Sequence, residues 1–385
     1  MVIRDGVPLA PFTTLELGGP ARHFVEASDD GALAEALRFA DDRKLPVTIL
    51  GGGSNLVVAD AGFDGLVVRI ATRGKRWEAA VDGGEVAVTA EAGEPWDALV
   101  AESVARGLGG IECLSGIPGL VGATPIQNVG AYGQEVAETI RAVRVLERGS
   151  WQTRQLASAE CGFGYRDSAF KRDPTRFVVL AVTFGLRPDA GPALRYRELA
   201  EHLATDAHPT LAGARAAVLA LRAGKSMLVT AGDPNRRSVG SFFMNPILDA
   251  RQADAVAARA GGDGAAGGDG VAGGDGAAGA RGAVGGGGAA GAANGRMPRW
   301  PAPDGRVKLS AGWLIERAGV AKGLRRGPVG VSSAHALALV HHGGGTTAAF
   351  VALAHEIADA VEARFGVRLS PEPNFVGLSW NRDAG

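Results

Sequence analysis

"SGIPGLVGATPIQNVGAYGQEV", residues 115–136, holds five glycines and two prolines in 22 residues, with Gln127, Asn128 and Tyr132 set in an otherwise apolar stretch. Few folds need so much irregular backbone in so apolar a setting. A planar polar heterocycle, an isoalloxazine or an adenine, needs it, because main-chain groups must face its polar edge. A purely structural loop is the competing reading, and composition alone leaves the two level.

Working outward, "LGGGSN" (Leu50–Asn55) follows the apolar run "VTIL" (Val47–Leu50), which reads as a buried strand. Its three glycines allow positive φ and close approach of a ligand to the main chain, and successive free N–H groups can cradle a pyrophosphate. The spacing is not that of the G-x-G-x-x-G dinucleotide fingerprint, so a tight glycine turn stays open. Asp29 and Asp30 cap a helix from about Ala32 to Lys44, with Leu33, Leu37 and Ala40 on one face. Residues 65–70, 85–93, "VRVLER" and "RFVVLAVTFGL" read as strands, and "PWDALVAESVARGLGG" and "AGWLIERAG" as helices. A long helix fills "TTAAFVALAHEIADAVEARFG", with Phe350, Leu353, Ile357 and Val361 on one stripe. The pattern is α+β with several domains, not a regular βαβαβ run.

The chain has 385 residues, 46% hydrophobic and 21% charged, with net charge −1, which suits a soluble globular protein and offers no global field for nucleic acid or an anionic membrane. Local basic clusters remain able to bind phosphate on a small molecule. Cys113 and Cys161 make neither a disulfide framework nor a metal cluster, and a reducing compartment is expected. No signal peptide and no membrane span is expected. Of the 59 glycines, 17 fall between Gly261 and Gly295, where a six-residue unit carrying one aspartate (Asp263, Asp269, Asp275) repeats three times. Calcium-binding repeats have a nine-residue period and a large apolar residue per unit. This segment is instead expected to be a flexible insertion without chemistry.

Three residues stand out for chemistry. Ser241, in "SVGSFFMNP", has a serine's reactivity but no histidine or acid near it in sequence, and no G-x-S-x-G elbow. Arg166, in "GYRDSAFK", offers a fork for a carboxylate or phosphate, against the commoner fate of a salt bridge with an acid such as Asp167. Glu372, between two prolines in "SPEPN", is either an aimed carboxylate or a solvated turn residue. Adjacent His341 and His342 make a poor metal pair, and they and His335 are left without a functional role. No metal is expected.

In order, "PFTTLELGGPARHFVEA", "ILGGGSNLVV", "LSGIPGLVGATPIQNVGAYGQEV", "CGFGYRDSAFK", "VGSFFMNP", "DGRVKLSAGWLIERAG" and "LSPEPNFVG" resemble one family, the UDP-N-acetylenolpyruvoylglucosamine reductases. The resemblance covers nearly the whole chain outside the insertion. It implies an α+β fold: a two-part FAD-binding unit of the vanillyl-alcohol-oxidase type plus a C-terminal α/β substrate-binding domain. The divisions expected are 1–72 with 366–385 returning to it, 73–222, and 223–365 interrupted by the insertion at 259–295. "LRYRELAEHL" is similar to the type I members, whose extra loop carries a tyrosine over the substrate, here Tyr196.

The resemblance also implies the reaction. NADPH reduces non-covalent FAD, and the enolpyruvyl ether of UDP-N-acetylglucosamine is then reduced to UDP-N-acetylmuramate in cell-wall precursor synthesis. Arg166 matches the family's charge-stabilising arginine, Glu372 its glutamate at the carboxylate end, acting as a protonated acid, and Ser241 its proton donor. FAD contacts are expected from Gly51, Gly52, Gly53, Ser54, Asn55, Leu56, Ser115, Gly116, Ile117, Pro118, Gly119, Gly122, Ala123, Gln127, Asn128, Gly130, Ala131 and Tyr132. Substrate contacts are expected from Tyr165, Tyr196, Lys225 and Asn245. The chain departs from the family where Met244 replaces a frequent lysine, where "KSM" stands for "KLP", and where Ser370 replaces an acid. A cytoplasmic monomer, with no nucleic-acid or membrane partner, is expected. The rivals are an oxidase with histidine-linked FAD, for which His23 lies outside both glycine loops, a serine hydrolase using Ser241, and a non-catalytic flavin or nucleotide-binding module.

Overall fold

The strand Phe63–Ile70 is buried on both faces because each face has a cover. Leu66, Val68 and Ile70 meet Leu33, Leu37 and Ala40 of the helix Asp30–Asp42, while Val67 meets Leu9, Phe24 and Leu50 on the other side. Asp29 caps that helix by accepting from the Ala32 amide at 2.8 Å. Parallel strands Pro20–Ala27 and Val47–Leu50 flank Phe63–Ile70, and Arg4–Pro8 closes the sheet antiparallel to Pro20–Ala27. The computed structural model describes residues 1–79, 84–188, 190–261 and 297–381.

A second, antiparallel sheet centres on the long strand Phe177–Pro188, between Ile140–Glu147 and Val86–Glu91. Gln152–Ala157 and Lys75–Trp77 extend its two sides. The helix Trp96–Ala105 packs here, with Trp96 buried 5.7 Å from the Phe184 ring. Residues of both sheets share one apolar core, so the two parts stand as one unit.

The third part carries a four-stranded antiparallel sheet, Ser238–Ser241, Ala338–His341, Val329–Val331 and Arg325–Arg326. Against it lies the helix Thr347–Phe365, burying Phe350, Leu353, Ile357 and Val361 in the expected stripe. Thr346 caps its start, and Gly366, at φ 70°, ends it. The first-turn amides of Thr347 and Ala348 also donate to the Asp60 carboxylate at 2.7 and 2.9 Å, docking the helix on the first part. The chain then returns: Asn374–Val376 adds to Leu56–Val58 as a parallel pair.

Three expectations are refined. Val47, Thr48 and Ile49 are only half-buried, because that strand walls a cavity instead of filling a core. The division at 222/223 falls within the helix Leu211–Gly224, and we propose that the junction lies past its end. The expected insertion begins at Arg259, which is the last residue of the helix Ala250–Arg259 and donates to the Phe365 carbonyl at 2.5 Å. Residues 262–295 of that segment lie outside the described residues.

Candidate active site

A cavity of about 650 Å³ runs between the three parts. Its wall includes Gly51, Gly52, Gly53, Ser54, Asn55, Leu56, Ile117, Pro118, Gly119, Gly122, Ala123, Gln127, Gly130, Ala131 and Tyr132. The two glycine-rich loops touch: a Cβ on Gly52 would lie 2.8 Å from Gly119 Cα, and Ser54 Oγ donates to the Pro118 carbonyl at 3.1 Å. Asn55 Nδ2 donates to Gln127 Oε1 at 2.8 Å, so the loops are sewn side chain to side chain. Among the described residues, the amides of Gly52, Gly53, Ser54 and Asn55 donate to no protein acceptor, which leaves a run of N–H groups for an anion.

Gly53 sits at φ 64°, where a Cβ would meet the Phe12 carbonyl oxygen at 1.9 Å. Backbone cannot yield as a flexible side chain does. Gly53→Ala is therefore expected to displace the Phe12–Thr14 segment, whose Thr14 amide donates to the Gly53 carbonyl. The expected result is at least tenfold weaker FAD retention and a lower Tm, checked by flavin fluorescence and thermal melting. Retention equal to that of the parent chain would refute the close-contact account.

Arg166 occupies a two-residue turn closed by Gly164 and Asp167, and takes φ 52°, a left-handed conformation that costs a non-glycine residue roughly 1–3 kcal/mol. The strain is held in place by contacts. Lys171 Nζ donates to its carbonyl at 2.9 Å, and its own Nη2 donates to the Gly130 carbonyl at 2.7 Å. Its Nε lies 3.1 Å from Glu372 Oε1. The salt bridge with Asp167 is absent, because Asp167 pairs with Arg172. Burial works against the Arg166 charge, but Glu372, Tyr165 and Glu135 outweigh it and hold its pKa above the ordinary arginine value.

Ser241 is placed by a β-bulge. Ser238 pairs with Val340 but Ser241 with Ala338, so three steps on one strand face two on the other, with Gly240 at φ 76° taking up the difference. Behind it Phe242 and Phe243 are buried in a cluster with Phe350 and Trp380. The Glu372 amide donates to the Phe242 carbonyl at 2.8 Å, one residue from Ser241. Arg166, Ser241 and Glu372, far apart in sequence, thus border one cavity.

Lys225 and Tyr196 also border it. Lys225 is paired with Glu198, and Tyr196 stands edge-on to Tyr132, ring centroids 5.2 Å apart. Five expected contact residues lie behind the wall. The Ser115 hydroxyl donates to the Glu112 carbonyl, and the Gly116 amide donates to Asp97 Oδ1. Asn128 is buried, donating to Glu135 Oε2 and the Gly164 carbonyl and accepting from the Ala137 amide. Asn245 Oδ1 accepts from the Ala311 amide, and Tyr165 packs between Asn245, Arg166 and Lys308. These residues shape the wall without facing the space.

Sequence reasoning missed other lining residues. Arg148, Lys171, Arg222 and Arg236 join Arg166 and Lys225 to give six basic side chains, with Glu372 the only carboxylate on the wall among the described residues. A nearly neutral chain thus concentrates positive charge where phosphates would sit. "NRRSVGS" was a usable signal for Arg236, being close to Ser241. His335 was also missed. Its Nε2 lies 3.4 Å from Ser241 Oγ, and burial, with Lys225, Lys322 and Arg222 nearby, pushes its pKa down to about 4. Among the described residues no group of three or more metal-ligating side chains forms.

Residues 21–151 match the FAD binding domain family, and residues 233–376 match the C-terminal domain of UDP-N-acetylenolpyruvoylglucosamine reductase. A UDP-N-acetylenolpyruvoylglucosamine reductase of Saccharopolyspora erythraea is 49% identical over 379 residues, 96% of this chain and 95% of the relative. One of Nocardia farcinica is 47% identical, covering 98% of this chain and 90% of the relative. The solved structure of a Thermus caldophilus reductase of the same kind aligns over 97% of this chain and all of its own, with a TM-score of 0.59 at 24% identity, a likeness of fold. The expected α+β fold, an FAD-binding unit with a C-terminal domain, holds. The chain belongs to the UDP-N-acetylenolpyruvoylglucosamine reductase family and is an FAD-dependent oxidoreductase.

Proposed function

We propose that this chain uses NADPH and non-covalent FAD to reduce the enolpyruvyl ether of UDP-N-acetylglucosamine to UDP-N-acetylmuramate, a step of peptidoglycan precursor synthesis. The observation that carries this reading is the meeting of Arg166, Glu372 and Ser241 on one cation-rich cavity beside a glycine cradle. The residues present fit FAD. The unpaired amides of Gly52–Asn55 suit its pyrophosphate, and the apolar wall from Ile117 to Ala131 suits its ring. When bound, FAD supplies the hydride.

The chain's own residues meet what hydride addition creates. Negative charge grows on the carbon next to the substrate carboxylate and spreads into an enediolate-like group. The Arg166 guanidinium faces that charge, already fixed by the Gly130 carbonyl and Glu372, so little reorganisation is needed. Glu372 stands at the same end of the cavity and holds the Arg166 fork in place for that group. Ser241 gives its proton to the carbon. The remaining basic side chains hold the diphosphate. The proposed setting is the cytoplasm, which suits the free thiols Cys113 and Cys161, and the proposed state is a monomer.

Under anaerobic conditions NADPH is expected to bleach the flavin, and the enolpyruvyl sugar nucleotide to restore its colour with formation of UDP-N-acetylmuramate. Denaturation is expected to release the flavin. A flavin that neither nicotinamide bleaches, or that stays on the denatured polypeptide, overturns the reading.

A further inference from the structure

Ser241 has a neighbour that sequence order conceals. We propose that His335 is a positioning residue for Ser241, donating its Nε2–H to Oγ so that the hydroxyl proton points into the cavity and the oxyanion left after proton transfer is met by a donor. This inference rests on the reading of Ser241 as the proton donor.

The geometry places the two groups together by backbone pairing. His335 lies in the turn between Val329–Val331 and Ala338–His341, closed by the Ser332 amide donating to the Ala338 carbonyl and the Ala338 amide donating to the His335 carbonyl. Ala338 is the residue that pairs with Ser241, and the Phe242 amide donates to the Leu337 carbonyl at 2.7 Å. The histidine turn and the serine bulge are therefore two edges of one ladder. Their side chains stand 3.4 Å apart on the wall of the cavity.

Neutral imidazole suits the task. A charged ring would add to the field of Lys225 and Arg222, and burial with those cations keeps the ring neutral near pH 7. Neutral imidazole can carry its proton on Nε2 and donate it as a hydrogen bond without transferring it. In the proposed step the Oγ–H bond breaks as a C–H bond forms from the electron pair of the enediolate carbon. The oxyanion on Ser241 accepts from His335 Nε2–H. It regains a proton from water after product leaves, and the hydroxide formed accounts for the solvent proton that the overall reduction consumes.

The test uses the FAD-loaded enzyme, with His335→Ala, His335→Gln and Ser241→Ala variants. Stopped-flow absorbance separates flavin reduction by NADPH from re-oxidation by the enolpyruvyl substrate. For His335→Ala, reduction is expected within about twofold of the parent, while re-oxidation falls roughly 100-fold with little change in KM, the size of losing one oxyanion donor. His335→Gln keeps an N–H donor near the Nε2 position and is expected to restore most of the rate. Adding His335→Ala to Ser241→Ala should cost nothing further. At rest, the imidazole 15N signals assigned to His335 by their loss in His335→Gln should shift in Ser241→Ala. A parent-like re-oxidation rate in His335→Ala, a rise in KM alone, or a full additional loss on the Ser241→Ala background overturns the role of His335. If Ser241→Ala itself re-oxidises at the parent rate, the reading of Ser241 is what fails.

Discussion

Ser241→Ala is expected to leave flavin reduction by NADPH intact and to slow re-oxidation by the enolpyruvyl substrate roughly 10²–10⁴-fold, the usual contribution of a positioned general acid. The split follows from where the residue stands. Ser241 borders the cavity from the third part, on a bulge whose backbone is tied to Leu337 and whose neighbours Phe242 and Phe243 are buried. Removing one hydroxyl leaves these contacts in place, so the fold and the flavin cradle have no reason to change. A serine hydroxyl is a weak acid, but a carbanion-like centre is a far stronger base, and position then matters more than activation. Rapid mixing of pre-reduced enzyme with substrate reads the step directly. A loss smaller than tenfold removes Ser241 from the role.

Arg166→Met is expected to cut turnover by about 10²–10³, as when one preorganised electrostatic group is lost, and to lower Tm as well. Two effects are combined. The developing charge loses its cation, and Glu372, with its side chain only 14% exposed, loses its partner. Arg166→Met/Glu372→Gln separates them: the double variant should recover stability and not turnover. Arg166→Lys keeps the charge but loses the fork that reaches Gly130 and Glu372 together, and is expected to fall between. Backbone strain does not confuse the comparison, because methionine and lysine meet the φ 52° turn as arginine does. Turnover in Arg166→Met within tenfold of the parent refutes the charge role.

The elements most legible in the sequence are those whose cause is local. The stripe of Phe350, Leu353, Ile357 and Val361 announces its helix because 3.6-residue spacing is enough. Gly53 and Gly119 announce a close approach because positive φ demands glycine. What failed to show was set by partners far along the chain. Asp167 looked like the acid for Arg166 by adjacency, yet the turn points it to Arg172 and brings Glu372 from 206 residues away. Gln127 and Asn128 looked alike, yet one lines the cavity and the other, at φ 44°, is consumed by Glu135, Gly164 and Ala137. His335 carried no local signal at all, because strand pairing alone brings it to Ser241.

The return of the chain, with Asn374–Val376 laid beside Leu56–Val58, has a consequence for synthesis on the ribosome. The glycine cradle, up to Asn55, is translated 317 residues ahead of Glu372. A nascent chain halted before Pro371 holds every residue of the cradle and lacks the acid that pairs with Arg166. The closing strand pairs with a segment translated far earlier, so Arg166 meets its carboxylate only after translation has passed Glu372.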